Sequence, residues 1–235
     1  MINKGKNMKW NKLYEYPTSS RSLINNARHY DVGEEKLPSV TTILSATQSE
    51  EKKASLAAWR ERMGTENATR IVDQAATRGT AMHTIIEKFL LGQGYLDLTE
   101  VGQNAQTMAQ QIIEKGLKNR LHEFWGLEVT LYYPGLYAGA TDVVGVYDGS
   151  ESIVDFKQSN KPKKKEWIED YKLQLAAYAM AHNEVYGTNI MKGVNLICTK
   201  DNYFQEFIFE GEEFKQAKYE WLRRVDEYYN NRTRS

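Results

Sequence analysis

The sequence predicts an α/β fold, a small mixed sheet flanked by helices. Three observations predict it. Apolar residues alternate over 127–133, 137–147 and 152–158, the period of strands. Longer stretches before and after them carry apolar residues at helical spacing. Proline is scarce and no Pro/Gly/Ser-rich linker splits the chain, so 38–235 reads as a single domain preceded by an extension, 1–37.

Residues 1–38 read as irregular with short extended pieces. Ser39 offers a side-chain cap for a helix starting at Val40. Residues 50–63 read as a helix. A longer one spans 69–91, where Val72, Ala76, Gly79, Met82, His83, Ile86 and Leu90 recur on one side and Gly92 stops it. The spacing of Met108, Ile112, Leu117, Leu121 and Phe124 predicts another over 103–124. Three consecutive strands follow. Ile168, Tyr171, Leu175, Tyr178 and His182 then mark a helix over 164–186. A strand at 190–199, a hairpin partner at 203–209 and a helix at 213–230 complete the chain.

Lys+Arg and Asp+Glu both number 31, which argues against a purely electrostatic nucleic-acid binder but leaves room for local basic strips. Lys161, Lys163, Lys164 and Lys165 make one such strip. Arg60 with Arg62, and Lys115, Lys118 and Arg120, read as solvated faces. Cys198 stands alone, so an internal disulfide and a four-thiolate cluster from one chain are both excluded. No apolar run is long enough to span a bilayer, and the first residues lack the apolar core of a signal peptide. A cytoplasmic setting, in phage-infected or bacterial cells, is the expectation.

The stretch 151–165 carries chemistry. Ile153, Val154 and Phe156 read as a buried strand, yet Asp155 and Lys157 interrupt it. Asp148-Gly149 lies just before it and is a strong hairpin signal. A loop of those two residues places Asp142 opposite Asp155; a loop over 148–151 places it opposite Lys157. Either register puts Asp142, Asp155 and Lys157 on one sheet face. A structural ion pair accounts for these charges alone. It does not account for Ala138, Gly139 and Ala140, which clear space for a large neighbour just before Asp142. Two close carboxylates repel unless a cation lies between them, and oxygen-rich sites of this kind suit Mg²⁺ or Mn²⁺.

Gly-Ala-Thr-Asp142 followed by Asp155-Phe156-Lys157 resembles the PD-(D/E)XK nuclease signature, with Thr141 where proline is usual. Arg78-Gly79-Thr80-Ala81-Met82-His83 with Glu87 is similar to the Gly…His…Glu helix of the RecB-type exonuclease subgroup, and Gln174 with Tyr178 resembles its QxxxY motif. Both pairs share a helical face. Pro38-Ser39-Val40-Thr41-Thr42-Ile43-Leu44 with Leu56 and Trp59, and the tract from Lys157 to Lys163, are similar to the mitochondrial genome maintenance exonuclease group and its phage relatives. The likeness runs from about residue 38 to 180.

That resemblance implies a PD-(D/E)XK core and Mg²⁺-dependent hydrolysis of DNA, with Mn²⁺ as a substitute. It implies that His83, Asp142, Asp155 and the Phe156 carbonyl hold metal, and that Lys157 orients the attacking water or stabilises the oxyanion. Gln174 and Tyr178 would support Lys157 or the phosphate; Glu87 and Glu128 would stand in an outer layer. Arg78, Ser159, Lys161, Lys163 and Lys164 are candidates for contact with the DNA backbone. Tyr30, Trp59 and Tyr137 are aromatics that could stack on bases, although each also reads as packing. The leading expectation is an exonuclease preferring single-stranded ends, in replication, recombination or repair. A structure-specific endonuclease and a DNA-binding module without catalysis are the alternatives. Iron–sulfur relatives are excluded by the lone Cys198.

Overall fold

The computed structural model describes residues 8–233. Part of the N-terminal stretch weighed above as a signal peptide, residues 1–7, lies outside the described residues. The chain opens with β1 (Lys9–Trp10), then β2 (Ser19–Ile24), β3 (Ala27–Val32) and β4 (Glu35–Pro38), which form a three-stranded antiparallel sheet. Ser39 caps α1 (Val40–Ala46) as its spacing predicts, accepting the Thr42 N–H at 3.0 Å. Next come α2 (Glu50–Met63), α3 (Thr65–Leu90) and α4 (Glu100–Ile112). The consecutive strands are β5 (Leu121–Tyr133), β6 (Tyr137–Tyr147) and β7 (Ser150–Ser159). Helix α5 (Glu169–Tyr186), β8 (Lys192–Thr199), β9 (Phe204–Glu210) and α6 (Gly211–Thr233) follow.

Strands β1, β5, β6, β7, β8 and β9 make one mixed sheet in that order. Its β1/β5 and β7/β8 pairs are parallel, the latter because α5 carries the chain across between them. Helices cover both faces. On one, Leu175, Ala176 and Tyr178 of α5 and Phe214 and Trp221 of α6 pack with Ile43 of α1. On the other, Met82 and Ile86 of α3 and Met108 and Ile112 of α4 pack against Val143, Val154 and Phe156. Alternation along β6 and β7 therefore feeds both cores at once. This is the mixed α/β architecture, a sheet flanked by helices, that the sequence predicts.

The helix expected over 103–124 is corrected. Helix α4 ends at Ile112, a π-helical turn covers Ile113–Leu117, and Leu121 and Phe124 belong to β5. At Gly116 a Cβ would lie 2.8 Å from Leu196 Cδ1, so the turn packs hard on β8. Asn119 then takes a left-handed φ of 62° and turns the chain into the strand. Helix α5 also starts later than expected, at Glu169, after a short 3₁₀ turn over Lys165–Trp167. Tyr137 is fully buried, edge-on to Trp221 at 4.9 Å, and cannot stack on a base.

The chain from β1 to the start of β2 is tied down by aromatics. Trp10 stacks on Phe124 at 5.7 Å, and Tyr14 and Tyr16 pack against His182 and Tyr186. His182 is fully buried, with its ring nitrogens on Tyr16 Oη at 3.2 Å and Thr188 Oγ1 at 2.8 Å. Burial pushes its pKa down to about 4. The unfolded chain therefore takes up this proton first as pH falls. Stability held above pH ~6.5 should be lost between there and about pH 4, by on the order of a few kcal/mol. Urea melts at pH 7 and 4.5 check this. His182→Gln should show a smaller acid loss than the wild type.

Candidate active site

The hairpin takes the two-residue form. Tyr147 pairs with Ser150, and Asp148 and Gly149 both have positive φ, 47° and 77°, as a type I′ turn requires. The β6/β7 ladder runs only to Val143↔Val154. One step beyond, the backbone of Phe156 turns to side chains. Its N–H donates to Asp142 Oδ2 at 2.6 Å and its carbonyl accepts from His83 Nε2 at 2.8 Å. The end of the ladder thus opens the gap in which acids and imidazole meet.

His83 Nδ1 lies 3.3 Å from Asp142 Oδ1 and 3.9 Å from Glu128 Oε1. Ligand atoms of His83, Glu128 and Asp142 all fall within 4.8 Å of one another. Lys157 Nζ sits 2.8 and 2.7 Å from the two oxygens of Asp155, and Asn195 Nδ2 donates to Asp155 Oδ2 at 3.0 Å. Asn195 stands directly beside Asp155 in the parallel ladder. Lys157 Nζ also lies 5.3 Å from the centre of the Tyr171 ring.

Electrostatics follow from this packing. Burial alone would lower the His83 pKa, but the Asp142 charge and hydrogen bonds to Asp142 and Glu128 outweigh it and raise the pKa to about 10. Burial, with the repulsion of Asp142, raises Asp155 against the pull of Lys157. Burial opposes the ionised form of Asp142, yet His83, Lys157 and the Phe156 N–H hold its pKa down. Desolvation opposes the charge on Lys157, but both aspartates keep its pKa up. One imidazole and two carboxylates converging in this way form a donor set that fits a divalent cation, which would displace the imidazole proton.

Glu128 stands closer to the centre than an outer layer implies, since its carboxylate joins the His83–Asp142 group. It does so with φ at 52° inside a strand, a left-handed conformation that costs a non-glycine residue about 1–2 kcal/mol. Asp155 is not in that group; its carboxylate is taken by Lys157 and Asn195. Glu87 lines the cavity beside His83. Gln174 Nε2 donates to the buried Tyr178 hydroxyl at 3.1 Å, and both line the pocket with Asp142 and Asp155. A Cβ at Gly139 would lie 2.8 Å from the Tyr178 ring, which explains the small residue there. Gly139→Val should therefore cost about 1–3 kcal/mol. A thermal melt checks this; an unchanged midpoint would show that the Tyr178 ring can yield.

Candidate backbone contacts fare differently. Arg78 Nη2 donates to Gln158 Oε1 at 2.9 Å and also reaches Asn160 Oδ1, so α3 is laced to the tract after Lys157. Ser159 is a correction. It is buried and its hydroxyl donates to the Lys161 carbonyl at 2.6 Å, so it shapes the turn and offers DNA no free donor. Lys163 is half-buried, its backbone held at both N–H and C=O by Gln205. Lys161 is exposed, and Lys164 lies over Trp167 at 5.1 Å. Tyr30 is buried and Trp59 half-buried. Asn195, Arg21 and Arg28 carry no signal in the sequence, and Tyr171 reads there only as a helix marker. No local spacing marks their place in the site, because contacts between distant elements bring them there.

No family model matches the chain. Among curated proteins, it is 30% identical over 202 residues to mitochondrial genome maintenance exonuclease 1 of Mus musculus, covering 82% of this chain and 59% of that protein. This chain is similar in sequence to the mitochondrial genome maintenance exonucleases. The human relative of the same name is 26% identical over 206 residues, covering 82% of this chain and 58% of the relative. The chain thus matches less than two thirds of each exonuclease's length. Among solved structures, a candidate exonuclease from Eubacterium rectale aligns with a TM-score of 0.45 at 12% identity, over 66% of this chain and 68% of that one. Among the described residues no helix is long and apolar enough to cross a membrane.

Proposed function

We propose that this chain is a divalent-metal-dependent DNA exonuclease that takes single-stranded ends, with residues 1–37 an extension of a nuclease unit over 38–235. The convergence of His83, Glu128 and Asp142 beside the Asp155–Lys157 pair carries this reading. Similarity to the mitochondrial genome maintenance exonucleases supports the reaction class. A setting in phage or bacterial DNA replication, recombination or repair belongs to the same proposal.

His83 and Asp142 would hold the ion, joined by Glu128 and by Asp155 beside Lys157. Mg²⁺ is the proposed ion, with Mn²⁺ as a substitute; when bound it supplies a water of lowered pKa and neutralises phosphate charge. Lys157, held charged by its two aspartates, orients the nucleophile and meets the charge that develops on the phosphoryl oxygens. Asn195 and Tyr171 keep Asp155 and Lys157 in place. Gln174 and Tyr178 wall the pocket on the α5 side. Arg78, Lys161, Lys163 and Lys164 would add salt-sensitive attraction for the strand.

End-labelled single- and double-stranded DNA, with and without closed circles, tests this in Mg²⁺ and then in EDTA. Ladders growing from an end of single strands, stopped by EDTA, are expected. Cutting of closed circles would establish an endonuclease instead. Binding without cleavage, in Mn²⁺ as well, would leave a DNA-binding module.

A further inference from the structure

Two cavities meet at the acid cluster. One, about 600 Å³, runs under α3 past Ala75, Ala76, Gly79 and Thr80. The other, about 260 Å³, lies under the β2–β3–β4 sheet and reaches Asp142, Asp155, Gln174 and Tyr178. His83, Glu128, Lys157 and Arg21 line both. A strand occupying the two cavities would pass the acids midway.

The smaller cavity holds two cations that the catalytic reading does not use. Arg21 pairs with Tyr30 across β2 and β3, and Leu23 pairs with Arg28. Strand alternation therefore puts both guanidiniums on one sheet face, flanking buried Tyr30. Arg21 lies over the Tyr30 ring at 5.5 Å, which steadies its plane. Among the described residues neither guanidinium has a hydrogen-bond or ion-pair partner, although Glu128, Asp142 and Asp155 line the same cavity. Elsewhere in the chain, arginines facing carboxylates pair with them, as Arg120 does with Asp148 and Arg223 with Glu220. Planar, unspent guanidiniums in a cavity beside a phosphodiester-cleaving centre suit tetrahedral oxyanions.

We infer that Arg21 and Arg28 hold successive backbone phosphates of the nucleic-acid strand on the side of the scissile bond away from α3. This rests on the nuclease reading and assigns the three-stranded sheet a substrate-gripping role. Arg21, shared by both cavities, takes the phosphate nearer the acids; Arg28 takes the next one along the smaller cavity.

Salt dependence of binding tests it. A hydroxyl-ended single-stranded oligonucleotide is titrated in EDTA across a range of salt, with the wild type, Arg21→Gln, Arg28→Gln and the double variant. Each lost phosphate contact should flatten the slope of log affinity against log salt by about 0.7, the pair by about 1.4. Affinity should fall about tenfold or more for each variant. Lys36→Gln, across the same sheet where Lys36 faces Asp31, should leave the slope as it was. Circular dichroism of each variant checks that these exposed substitutions leave the fold intact. A wild type that binds, with an unchanged slope in the double variant, overturns this inference alone. A wild type that binds no single strand removes the nuclease reading and this inference together.

Discussion

Replacing Lys157 by alanine is expected to lower turnover by ~10²–10³ while single-strand binding survives. The effect is electrostatic. Lys157 is desolvated yet kept charged by Asp155 and Asp142, so its ammonium is fixed before substrate arrives. A fixed charge in a water-poor pocket stabilises a developing oxyanion without the reorganisation that solvent would need. Single-turnover measurements on purified enzyme separate this from binding. Lys157→Arg should not restore the rate, because a planar fork cannot take the compact position between the Asp155 oxygens and the Tyr171 ring. Turnover close to wild type in Lys157→Ala would remove this side chain from the reaction.

The second large effect is at Asp142. Its carboxylate has two tasks: Oδ2 accepts the Phe156 N–H at the end of the β6/β7 ladder, and Oδ1 faces His83. Asp142→Asn keeps the shape and loses the charge. Metal affinity should fall by at least tenfold to hundredfold, roughly the loss seen even for groups that only support a ligand. His83→Ala should also raise the metal concentration needed for half-maximal activity, with rescue at high Mg²⁺. Calorimetric titration of Mn²⁺ into each variant checks both. Unchanged metal dependence in His83→Ala would reduce that residue to a packing role against Phe156.

Much of the site is legible in the sequence because it rests on short-range geometry. Asp142, Asp155 and Lys157 share a face in either hairpin register, so the loop length did not have to be known. His83 with Glu87 and Gln174 with Tyr178 follow from helical spacing. Other residues depend on contacts far apart in the chain. Asn195 reaches Asp155 only because α5 returns the chain to lay β8 alongside β7. Arg21 and Arg28 arrive through a separate sheet whose strands carry weak signals. The place of Glu128 depends on a left-handed backbone that no strand pattern announces. The misread helix over 103–124 has a local cause: Leu117, Leu121 and Phe124 keep helical spacing across a turn that Gly116 and Asn119 enforce.

The central claim is that His83, Glu128 and Asp142 form a divalent-cation site next to Lys157. The most direct test is an anomalous difference map from crystals grown with Mn²⁺ and a short single-stranded oligonucleotide. A peak touching His83 and Asp142 is expected, with a phosphate of the strand beside Lys157. A peak confined to other residues, or none at saturating Mn²⁺, would contradict it.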